Sequence, residues 1–256
     1  MSILLTLAMQ SLNSSIEADK IDIKDVPRLS EEKFALRGIM LDATHLSGWS
    51  LDAYDQFRNN ADKANSPCLL LRDNSIMDLS SKSSEGSKER INRLSIAANR
   101  LGCNSIAITP HFPENEEESN YIVQELRSAM QGVERLELNL LLQPCNGMTS
   151  DPSKHIEIIK QIGGFRIGAL PTFASASATG NGLDALQKLA PYAGAIVADF
   201  PPSRGKGGFS FEDGIKAVAD VGYSNTVALN YIGKGNPLPQ LSKVSKKMHA
   251  FLEAME

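Results

Sequence analysis

A short apolar run, a polar loop and an amphipathic stretch follow one another eight times along the chain, and this alternation restricts the fold more than any other feature. The apolar runs predict strands at Ile3–Met9, Leu36–Leu41, Cys68–Leu71, Ser105–Thr109, Glu137–Leu142, Phe165–Leu170, Gly194–Ala198 and Thr226–Asn230. Helical spacing predicts helices at Ile23–Lys33, Ser50–Ala64 and Lys88–Leu101, the last with Gly102 as its stop. A fourth helix starts among Glu116, Glu117 and Glu118, acids that suit a helix N-terminus. A fifth opens at Ser150-Asp151-Pro152 and closes at Gly163-Gly164, and the remaining three are Gly182–Leu189, Ser210–Asp220 and Leu238–Met255. Alternation of this kind requires a mostly parallel sheet. Eight units in 256 residues fit closure into a single (β/α)8 TIM barrel over residues 1–256. No Gly-x-Gly-x-x-Gly follows the first strand, so an open dinucleotide-binding sheet loses its main support.

A net charge of -4 and a pI near 5.7 argue against a broad nucleic-acid or membrane surface, and leave room for a local positive pocket. Cys68, Cys103 and Cys145 are far apart and show no Cys-x-x-Cys spacing, which points to reduced thiols in a cytoplasmic protein. The run at 2–9 reads as a first strand, and no stretch approaches the roughly 20 apolar residues of a membrane helix. The polar run Asn74–Ser87 reads as a loop on the face where barrels place active sites, either a lid or an ordinary solvated excursion.

Three segments carry a family likeness. Leu36-Arg-Gly-Ile-Met-Leu-Asp42 is an apolar run ending in an acid. Gly168-Ala-Leu-Pro-Thr-Phe173 is similar to a Gly-x-Leu-Pro-Asp-Phe form, and Val227-Ala-Leu-Asn-Tyr-Ile-Gly233 to a Glu-Tyr-x-Gly strand ending. In this order and spacing, over nearly the whole chain, they resemble the xylose-isomerase-like barrels, which include sugar-phosphate isomerases and epimerases and endonuclease IV. The resemblance implies a divalent metal held by acids and a histidine at the ends of strands 5 to 8. At those positions this chain has Gln143 for Glu, Thr172 for Asp, Ile196–Ala198 for the histidine with Asp199 the nearest polar group, and Asn230 for Glu. Two matched carboxylates have become amides, which keep the shape of the acid and lose its charge. The expectation is therefore no metal and no other cofactor.

Other polar groups are expected at the same face. His111 is the candidate for proton transfer, because histidine titrates near neutral pH, with capping of the fourth helix as the structural alternative. Asp199 is either a base or a partner of Arg204, and Asp42 either accepts from a sugar hydroxyl or pairs with Arg72 across the rim. The glycine-rich loops Ser203–Gly208 and Gly233–Gly235 would offer Arg204, Lys206 and Lys234 to a phosphate, or are simply solvated. Trp49, Phe112, Phe173 and Phe200 either stack on a sugar ring or close the barrel top as core; His155 and His249 read as surface. Three readings stay open: a metal-free barrel for a small sugar or sugar phosphate, an inactive barrel acting through a protein partner, and a metal-dependent isomerase whose ligands lie elsewhere.

Overall fold

The computed structural model describes residues 3–202 and 205–255. All eight expected strands form: β1 (Leu4–Ala8), β2 (Ile39–Asp42), β3 (Cys68–Met77), β4 (Ser105–Pro110), β5 (Asn139–Leu142), β6 (Ile167–Ala169), β7 (Ala195–Phe200) and β8 (Thr226–Tyr231). The helices are α1 (Asn13–Glu17), α2 (Val26–Phe34), α3 (Leu51–Lys63), α4 (Ser84–Leu101), α5 (Glu116–Arg135), α6 (Pro152–Ile162), α7 (Phe173–Ala178), α8 (Gly182–Leu189), α9 (Phe211–Asp220) and α10 (Pro237–Glu253). Every strand pair is parallel, in the order β6-β5-β4-β3-β2-β1-β8-β7. The ends meet through parallel bridges Ala169–Ala193 and Thr172–Val197, with the Val197 N–H donating to the Pro171 carbonyl at 3.0 Å. The sheet is thus a TIM barrel with its helices outside.

The helix ends follow from local chemistry. Ser50, Asn115 and Asp151 accept backbone N–H groups of the first turns of α3, α5 and α6, and Gly102 ends α4 in the left-handed conformation at φ 77°. Two short helices had no clear sequence signal: α1, and α7, which Thr172 caps.

Strand alternation divides the core in two. Outward side chains such as Leu5, Leu7, Ile39 and Leu41 pack under the helices. Inward ones make a separate apolar cluster of Ala8, Met40, Leu70, Ala107, Leu141, Leu170, Ala195, Val197 and Ala228. This cluster seals the barrel interior.

Three expectations are corrected. The run Asn74–Ser87 is not one long loop: β3 continues to Met77, paired with Thr109 and Pro110 of β4, and α4 begins at Ser84, leaving 78–83 between them. Polar residues hide this strand extension from a hydropathy reading. Phe165 does not start β6; it stands fully exposed on the preceding turn, at 105% relative accessibility. His155 is not a surface residue but wholly buried on the inner side of α6, whereas the His249 ring contacts the Ala35 carbonyl at 3.0 Å.

Candidate functional site

Two residues beyond eight of the nine members of the sealing layer, Ala195 excepted, stands a polar residue toward the C-terminal end. The pairs run Ala8–Gln10, Met40–Asp42, Leu70–Arg72, Ala107–Thr109, Leu141–Gln143, Leu170–Thr172, Val197–Asp199 and Ala228–Asn230. Each strand, or the segment just after it, therefore delivers one polar residue to the barrel mouth. Asp42, Arg72, Thr109, Thr172, Asp199 and Asn230 are all buried, and Gln10 and Gln143 partly so.

Arg72 lies at the centre of one half of this tier. Its Nε donates to Gln143 Oε1 at 2.7 Å, Nη1 to Gln10 Oε1 at 3.1 Å and Nη2 to Asn74 Oδ1 at 2.8 Å. Gln143 Nε2 also donates to Asn74 Oδ1, at 3.0 Å, which fixes the amide orientations. Burial lowers the Arg72 pKa, and the charges of Asp199 and Asp42 oppose that shift. A guanidinium still stays charged at neutral pH.

Asp199 organises the other half. It lies within β7 rather than past it, and burial raises its pKa. Hydrogen bonds oppose that rise: the Ala174 N–H donates to Oδ2 at 2.9 Å and Asn230 Nδ2 to Oδ1 at 2.7 Å. Ser11 holds Asn230 in turn, with its Oγ 3.3 Å from Asn230 Oδ1 while accepting from the Tyr231 N–H at 2.8 Å.

The remaining candidates separate. Asp42 does not pair directly with Arg72, because its Oδ1 accepts from both the N–H and the hydroxyl of Thr44, at 3.0 and 2.7 Å. Its charge reaches Arg72 only through space. Asp73 pairs with Arg90 at 2.5 Å, away from Arg72. The His111 ring is exposed at the end of β4, hydrogen-bonded to neither Asp199 nor the cap of α5, where Asn115 sits. Lys206 and Lys234 are exposed on their loops, and Arg204 lies outside the described residues. Gly207 serves packing: a Cβ there would sit 2.3 Å from the Ser177 carbonyl oxygen. Phe112, Phe173 and Phe200 are buried core residues, and Trp49 packs on Tyr54 and Phe57. Gln10, Ser11 and Asn74 were missed by sequence reasoning. Period-two extension of β3 would have found Asn74, whereas Gln10 lies in the 3-10 turn after β1.

The donor set does not fit a divalent cation. Gln143, Thr172 and Asn230 are neutral, Asp199 has both oxygens occupied, and the Gln143 oxygen already accepts from a cationic guanidinium. Among the described residues no group of three or more His, Cys, Asp or Glu converges on a point.

Comparison with protein-family models and with curated proteins finds no match. Solved structures do match. The 3-keto-D-glucoside 4-epimerase YcjR from E. coli superposes with a TM-score of 0.76 at 14% identity, over 99% of this chain and 100% of that one. The IOLI protein, crystallised with a zinc atom, gives 0.75 at 13%, over 98% of each chain. A xylose isomerase-like TIM barrel protein from Mycobacterium smegmatis, in complex with magnesium, gives 0.69 at 11%, over 90% of this chain and 88% of that one. The chain has the xylose-isomerase-like TIM barrel fold.

Proposed function

We propose that this barrel binds a small sugar or sugar phosphate at its C-terminal mouth, as a sugar isomerase- or epimerase-like protein that works without a divalent metal. The observation that carries this reading is the tier itself: eight polar side chains, one from each strand or the segment just after it, gather above an apolar seal. Asp42, Arg72, Gln143, Thr172, Asp199 and Asn230 supply the mixture of donors and acceptors that suits sugar hydroxyls. Arg204, Lys206 and Lys234 would meet a phosphate. Of the two proton-transfer candidates, Asp199 belongs to the tier and His111 to the rim. The neighbours named as a 3-keto-D-glucoside 4-epimerase and a xylose isomerase-like barrel support a sugar ligand by likeness of fold. Three free cysteines accord with a reducing cytoplasm, and among the described residues no helix is long and apolar enough to cross a membrane.

A thermal-shift screen with sugars and sugar phosphates, with and without EDTA, tests the reading. A ligand that binds only the native state raises the midpoint, and EDTA leaves that rise unchanged. Silence across both sets sinks it. Silence would instead favour an inactive barrel acting through a protein partner, a reading that an Asp199 carboxylate held by Ala174 and Asn230 also allows.

A further inference from the structure

We infer that Arg72 is the resident cation of the mouth, standing in for the dication implied by the family likeness, and that the part of the ligand facing it is uncharged. One oxygen of that ligand faces Arg72 and a neighbouring hydroxyl faces Asp199. The inference rests on the ligand reading above and adds the cation and the ligand's charge.

Three observations carry it. Arg72 is 5% exposed, and its guanidinium is clamped by amide oxygens from three separate places, Gln10 after β1, Asn74 on β3 and Gln143 just after β5. One of these, Gln143, occupies a position where the likeness implies a metal-binding carboxylate. A carboxylate there would chelate a cation from solution; the amide instead holds a cation that is covalently part of the chain.

Second, the clamp uses three of the five guanidinium N–H groups. The others have no protein acceptor among the described residues. A ligand oxygen is the partner they lack.

Third, Arg72 and Asp199 act on each other electrostatically, yet no nitrogen–oxygen pair between them falls within the 4.0 Å of an ion pair. Each charge is instead held by an amide, Arg72 by Gln143 and Asp199 by Asn230, so the two stay separate. A molecule with an acceptor next to a hydroxyl donor bridges such a gap. The charges of Arg72 and Asp199 offset each other, and Asp73 is matched by Arg90. Asp42, already bonded to Thr44, is left as the one uncompensated acid of the tier. Among the described residues the tier so carries one net negative charge, which disfavours an anionic group against it.

The test is Mn2+ binding, followed by calorimetry and electron paramagnetic resonance on the full chain. The expected results are no saturable Mn2+ binding by the wild type, and none by Gln143→Glu, where the new carboxylate pairs with Arg72. The variant Arg72→Gln/Gln143→Glu/Asn230→Glu should gain affinity by about 100-fold or more, the scale on which metal sites respond to their supporting residues. Should circular dichroism show that this variant is unfolded, Arg72→Gln/Gln143→Glu carries the same comparison. Stoichiometric Mn2+ binding by the wild type overturns the inference, as does a folded variant that binds no more tightly. Dihydroxyacetone and D-fructose serve as uncharged probes, and any shift they give should be lost in Arg72→Gln. Mn2+ exclusion without a sugar shift sinks the ligand and keeps the cation; Mn2+ binding with a sugar shift does the reverse.

Discussion

Asn230 donates its amide N–H to Asp199 Oδ1 at 2.7 Å, from positions that lie side by side in the β7–β8 ladder. Replacing that amide by a carboxylate places two buried acids in hydrogen-bond contact. Asn230→Asp should lower stability at pH 7 by about 2 kcal/mol or more, and by less at pH 5, where the pair shares a proton. Urea midpoints at the two pH values check this; an equal loss at both contradicts it.

Arg72 answers three amides at once, so its replacement strands the Gln10 and Gln143 oxygens and leaves Asn74 Oδ1 with Gln143 Nε2 alone. Arg72→Met should cost about 2–4 kcal/mol in urea denaturation. Arg72→Lys should recover little, because an ammonium lacks the planar fork that reaches Gln10, Asn74 and Gln143 together.

His155 is buried with neither ring nitrogen in hydrogen-bonding geometry, and burial lowers its pKa to about 4 despite nearby backbone groups of Thr149 and Leu142. The unfolded chain therefore binds a proton that the folded chain refuses. Stability present above the ordinary histidine range should fall as pH drops from about 6.5 to 4, by up to about 3 kcal/mol. His155→Leu should flatten this acid limb. A limb of unchanged slope in the variant would assign the loss to other groups.

Lys206 and Lys234 are exposed, so the double variant Lys206→Ala/Lys234→Ala should leave stability within about 0.5 kcal/mol. Any thermal shift that depends on a phosphate group should vanish in it, while shifts from unphosphorylated sugars persist. An unchanged phosphate-dependent shift removes these loops from the ligand site.

The barrel was legible because its evidence repeats: eight apolar runs, each followed by an amphipathic helix. The mouth was legible wherever a polar residue ends an apolar run, as at Asp42, Gln143 and Asn230. Gln10 escaped because the chain turns into a 3-10 helix at Met9, and Asn74 because β3 continues through polar residues that resemble a loop. The burial of His155 was present in the spacing. His155, Ile158, Ile159 and Ile162 share the buried side of α6, whereas Ile156 is only partly covered. Hydropathy gave the histidine the wrong side by treating its polarity as decisive. The purpose of Gly207 was not readable, because the carbonyl it admits belongs to a helix thirty residues away in sequence.

The apolar layer beneath the mouth separates two kinds of evolutionary freedom. Residues above it can be exchanged without disturbing the wall that supports them, so a chemistry run by a captured ion can be rewritten as one run by a tethered charge. A one-residue insertion in any strand has no such freedom, since it would swing a working side chain outward and push a greasy one into the opening. The scaffold thus confines the cost of an exchange in its working storey to that storey, and punishes slips of register throughout.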